Sequence, residues 1–190
     1  MPRLPDLDPA ALDPEQRRVH DAIVAGPRGK VEGPLRVWLT SPELADRAQA
    51  LGAFCRFGTS LPPRLSELAL LVVGAHWRAG FEWHVHHPIA VKAGVDPAAL
   101  EAIRLGREPL LPRADEAAVY AFARELMTSQ RVPASTYRNT VALLGERAVV
   151  DLVGVLGYYG LICMTIVAFE VPLPAGAPSP FPDDHAEPSR

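Results

Sequence analysis

Apolar residues along this chain recur at spacings of three and four, and the alternating β-branched runs that mark strands are absent. The pattern predicts an all-α, single-domain helical bundle of about seven to eight helices. Asp13-Pro14 opens a helix that ends at Gly26, and Ser41, as N-cap before Pro42, opens another to about Phe57. A long buried pair is expected from Arg64 to about Ala79 and from Phe81 to Ala93, with Gly94 as the stop. Asp96-Pro97 starts a short helix to Leu105, Asp115 caps one to Ser129, and the segments 133–144 and 146–169 complete the set.

The buried pair breaks its own pattern in one respect. Leu65 to Trp77 is apolar almost all round, as a buried helix is, yet Glu67 sits near its start. A carboxylate taken out of water must find hydrogen-bond partners or keep its proton, which is how proteins make general acids and bases. A cap on the first turn after Pro62 and Pro63 is the plainer reading of the same residue. In the second helix Glu82 and His86 stand four apart and project from one face, where a carboxylate raises and orients an imidazole. Such pairs also simply support helices. Pro88 removes one backbone donor inside this helix, so a kink after His84 is expected.

Three more histidines, His76, His84 and His87, surround His86. His84 and His87 share a face and imidazole suits zinc, copper or iron. However, His86 points away from that pair and no H-E-x-x-H occurs, so no metal is expected. Trp77 and Trp83 offer packing area, with Trp83 also a candidate for substrate contact. Arg78 is the cation nearest in sequence for a substrate carboxylate, or else a solvated charge at a helix end.

Composition narrows the partners. The 190 residues suffice for one sizeable core, 48% are hydrophobic and 22% charged, and a net charge of −3 gives no general attraction to nucleic acid or anionic membrane. Cys55 and Cys163 lie in no C-x-x-C or zinc-ligand spacing and read as reduced, buried thiols. The N-terminus has no apolar signal-like region, which points to the cytoplasm. Residues 152–169 carry no charge over eighteen positions, but they are bounded by Asp151 and Glu170 rather than by basic anchors, so a core helix is expected instead of a membrane span. Gly154, Gly157, Gly160 and Cys163 read as one ridge of small residues on a central or intersubunit helix. Ten of the twenty prolines fall in residues 1–14 and 172–190, which are expected to be extended arms or disordered. The expected organisation is an arm and first helix over 1–33, a helical domain over 34–170 and a proline-rich tail over 171–190.

Glu67, eleven residues, Ala79, two residues, Glu82, three residues and His86 form a spacing that resembles the carboxymuconolactone decarboxylase and alkyl hydroperoxide reductase D-like superfamily. Its peroxidase branch carries E-x11-C-x2-C-x3-H, where the two cysteines are the redox couple. Here those two positions are Ala79 and Glu82, and Phe81 replaces a further histidine often seen between them, so thiol-based peroxide chemistry is disfavoured. The resemblance covers about residues 34–170. It implies cofactor-independent decarboxylation, or related proton transfer, on a small carboxylated lactone or aromatic-catabolism intermediate. His86 would be the proton donor, Glu82 its orienting partner and Glu67 a second acid or base, with Arg78 and Trp83 binding substrate. It also implies a homotrimer or hexamer. The rival readings are a peroxidase and a non-catalytic, oligomeric small-molecule-binding protein.

Overall fold

Proline at the first helical position starts five of the helices in this chain, where its missing N–H costs nothing and its fixed φ suits the turn. A computed structural model describes residues 2–5 and 7–181. Among them are a 3-10 turn at Pro9–Ala11 and nine α-helices with no strand: α1 Pro14–Ala25, α2 Pro34–Trp38, α3 Pro42–Phe57, α4 Pro63–His76, α5 Gly80–Lys92, α6 Pro97–Arg104, α7 Ala114–Ser129, α8 Ala134–Leu144 and α9 Glu146–Phe169. The all-α expectation holds, and eight helices match the predicted ones within a few residues. The ninth, α2, is too short for periodicity to reveal; it is held by burial of Leu35 and Trp38, the indole N–H of Trp38 donating to Thr165 Oγ1 on α9 at 2.9 Å.

Side-chain caps hold the starts of α1 and α6, whereas Ser41, expected to cap α3, makes no cap hydrogen bond. Asp13 and Gln16 form a reciprocal capping box on α1, and Asp96 accepts from Ala98 N–H at the start of α6. Asp115 does not cap α7, which begins one residue earlier after Arg113. Its carboxylate instead accepts from Glu116 N–H and pairs with Arg64 on α4 at 2.7 Å, tying two core helices together. Gly94, with φ 98°, ends α5 as expected, its amide and that of Val95 donating back to Val91 and Ala90. α5 runs unbroken through Pro88.

α4 is the axis of the bundle. Leu65, Leu68, Ala69, Leu70, Leu71 and Val73 are buried all round it, against α5, α6, α7 and α9. α9 is long and apolar enough to cross a membrane by length and composition alone, but its inner side is core, with Leu152, Val155, Leu156, Ile162 and Ile166 buried. The expected small-residue ridge on α9 divides. Each three-residue step falls roughly 60° short of a full turn. Gly154, Gly157 and Gly160 have no packed atom within 4 Å of where a Cβ would stand, whereas Cys163, three steps on, is turned fully into the core.

The ends are less loose than their prolines imply. Arg3 N–H donates to the Phe169 carbonyl and its guanidinium pairs with Glu170, fastening the amino-terminal arm to the end of α9. The carboxy-terminal segment lays Phe181 into the core against Trp83, with ring centroids 5.6 Å apart, and the Pro180 carbonyl accepts from Arg104. Residues 182–190 of the expected tail lie outside the described residues.

Candidate active site

The turn between α4 and α5 builds the site. Arg78 N–H donates to Ala75 O and Ala79 N–H to Gly74 O, closing α4 with Arg78 in the left-handed region at φ 50°. This sharp stop lays α5 beside α4. Glu67, in the second turn of α4, and His86, in the second turn of α5, then meet although nineteen residues separate them.

His86 is held from both sides. Its Nδ1 lies 2.7 Å from Oε2 of Glu67 and its Nε2 3.1 Å from Oε1 of Glu82. All three side chains are buried, with His86 only 3% exposed. Burial alone would drive the imidazole toward its neutral form, but the field of Glu82 and the hydrogen bond to Glu67 outweigh it and raise His86 to about 9. His86 is therefore an imidazolium at neutral pH, donating from both nitrogens. Glu82 sits in the first turn of α5, where unpaired backbone N–H groups favour a negative charge.

Glu82 and His86 face a cavity of about 340 Å³, also lined by Arg28, Lys30, Arg56, Tyr158 and Tyr159. Tyr159 sets its ring edge-on to His86, 5.5 Å between centroids. Burial raises Tyr158 to about 12 and Tyr159 well above its ordinary value, so both stay protonated phenols. Arg28 donates from Nη2 to the Tyr158 hydroxyl at 2.9 Å, while its Nε is buried with no hydrogen-bond partner among the described residues. Gly52 leaves room for this pair, since a Cβ there would fall 2.1 Å from the Tyr158 hydroxyl oxygen and 2.3 Å from Arg28 Nη2. Gly52→Ala is therefore expected to push Arg28 and Tyr158 apart and to lower the melting temperature by about 3 °C, which a thermal melt checks.

The structure thus brings Glu67, Glu82 and His86 together and separates Arg78 and Trp83 from them. Arg78, turned by its left-handed backbone, lies over the Phe181 ring at 5.5 Å and lines a different cavity. Trp83 is 3% exposed between Phe181 and His87 and serves packing. His84 is exposed and His87 stacks on Trp83, so neither joins His86. The cations that do reach the cavity, Arg28, Lys30 and Arg56, come from the α1–α2 connection and α3. A signal for one pair was present in the sequence: Tyr158 and Tyr159 lie in the uncharged stretch 152–169 of α9, and buried phenol tips want partners.

No protein-family model matches this chain, and no curated protein matches it in sequence. Solved structures do match. An uncharacterized peroxidase-related protein from Silicibacter sp. TM1040 superimposes with a TM-score of 0.72 at 17% identity, over 92% of each chain. ATU0492 from Agrobacterium tumefaciens, a protein of unknown function described as a candidate AhpD antioxidant-defence protein, gives 0.65 at 16%, covering 75% of this chain and 99% of its own. The fold is that of the AhpD-like proteins. The debrominase Bmp8 shares it too, with a TM-score of 0.70 at 15% identity over 90% of this chain and 91% of Bmp8. In this chain Ala79, wholly buried just before α5, and Glu82, in the first turn of α5, carry no thiol. Cys55 and Cys163 are both unlinked and buried; burial first, and then a neighbouring carboxylate, Asp151 for Cys55 and Glu82 for Cys163, raise their thiols.

Proposed function

We propose that this chain is a cofactor-independent acid–base enzyme of the carboxymuconolactone decarboxylase-like type, acting on a small carboxylated lactone or a related aromatic-catabolism intermediate. The observation that carries this reading is an imidazole clamped between two buried carboxylates on the wall of a cavity that Arg28, Lys30 and Arg56 also line. Arg28 and Arg56 would hold a retained substrate carboxylate by charge-assisted hydrogen bonds. The departing carboxylate leaves as carbon dioxide and its bonding electrons pass into the lactone, where the phenol of Tyr158 or Tyr159 is placed to donate to the developing oxyanion. The carbon then takes a proton from the His86–Glu82 pair, and water restores that proton.

Within this proposal the two carboxylates take different roles. Glu67 makes the shorter contact with His86 and does not line the cavity, which suits it to orienting the ring. Glu82 lines the cavity and suits proton delivery. A peroxidase reading would need thiols where Ala79 and Glu82 stand. The debrominase among the fold neighbours is a reminder that one fold hosts several chemistries, so the site residues carry the assignment.

The test is carbon dioxide release from a carboxylated muconolactone. Wild-type protein is expected to turn over, and His86→Ala to lose roughly 10²–10⁴-fold in kcat, the usual contribution of a positioned proton donor. Equal rates for the two proteins, or no release from either, would remove the decarboxylase assignment and leave a binding protein.

A further inference from the structure

The cavity that receives Arg78 shares no residue with the one beside His86. Its volume is about 480 Å³, within the roughly 300–1,000 Å³ of small-molecule sites. Val72, Ile103 and Met127 give it an apolar floor. Four guanidinium groups surround that floor, those of Arg78, Arg104, Arg107 and Arg124, and no carboxylate lines it among the described residues.

Three of these groups are held in place by neighbouring side chains and backbone. Arg104 makes a two-point pair with Glu101 at 2.7 and 2.8 Å and donates to the Pro180 carbonyl. Arg124 pairs with Glu108 at 2.9 Å and lies over the Tyr120 ring. Arg78 lies over Phe181. Charges already fixed in position cost less to order when a ligand arrives. The backbone adds a second observation. Arg78 occupies a left-handed helix-ending position where glycine is the easy choice, and strain of this kind is retained where a particular side chain is needed.

We propose that this cavity is a second ligand site, distinct from the Glu67–His86–Glu82 set, that takes a small organic anion: an apolar ring or chain bearing a carboxylate or a phosphate. The apolar body rests on the floor and the anionic group meets the arginines, whose planar forks suit both oxyanions.

Calorimetric titration of the full chain with 2-naphthoate, 2-naphthyl phosphate and neutral 2-naphthol tests it. At least one anion is expected to bind wild-type protein, and the relative affinities tell a carboxylate site from a phosphate site. Arg107→Ala combined with Arg124→Ala, two exposed side chains whose loss leaves the core intact, should weaken that binding roughly tenfold or more. Arg28→Ala combined with Arg56→Ala, at the other cavity, should leave it in place. Equal affinity for 2-naphthol, equal affinity in the Arg107/Arg124 variant, loss confined to the Arg28/Arg56 variant, or no saturable binding of either anion up to millimolar concentration overturns the proposal.

Discussion

Protein carrying His86→Ala is expected to unfold well below the wild type at pH 7. The imidazolium is the positive charge between Glu67 and Glu82, both buried, and its removal leaves two carboxylates facing each other without it. Breaking a buried pair by deleting one member costs about 3–5 kcal/mol because the remaining charge is uncompensated. For a chain of this length that corresponds to roughly 10 °C in Tm. A triple variant, His86→Leu with Glu67→Gln and Glu82→Gln, should recover most of the stability while having no activity. Thermal melts of the three proteins at pH 5 and pH 7 decide the matter; a His86→Ala melt that matches wild type at both values would show that the buried charges are not coupled as described.

The wild-type protein should itself lose stability as the solution turns alkaline, between about pH 6.5 and about pH 9. His86 rises from an ordinary 6.5 to about 9 on folding, so within that window the folded chain holds a proton that the unfolded chain has released. The contribution is complete below 6.5 and is lost as pH passes through about 9. Its size is on the order of 3 kcal/mol. Cys55, Cys163, Tyr158 and Tyr159 are also raised, but from starting values of 9.0 or 10.0, so they act only above this window. Urea midpoints at pH 6, 7.5, 9 and 10 should fall through the first three for wild type and stay level for His86→Ala. A wild-type profile that is flat or rising over pH 6.5–9 contradicts the assignment of the imidazolium.

What could be read from the chain and what could not follows from the range of the forces involved. Caps, prolines and glycine stops are local, and they placed eight helices. Glu82 and His86 are legible for the same reason, being one turn apart on one helix. Their link to Glu67 needed the α4–α5 turn, and there the family spacing supplied what periodicity could not. Arg28, Arg56, Tyr158 and Tyr159 reach the cavity from three other segments, so no local pattern joins them to His86. Arg78 misled because closeness in sequence is not closeness in space: a left-handed residue at a helix end sends its side chain away from the following helix's inner face. Asp115 misled more narrowly, since an acid beside a helix start can serve an arginine on a neighbouring helix instead of the backbone. The buried Phe181 lies in a proline-rich segment whose composition gives no hint of a docking site.

Neither Ala79 nor Glu82 carries a thiol, and on the proposed function this sets what the site would consume. A thiol pair is spent at each turnover and must be returned to its reduced state by another protein. The Glu67–His86–Glu82 set, on the function proposed above, would pass only a proton, which water would restore. On that function, its cycle would draw on no electron donor and would need no reducing partner.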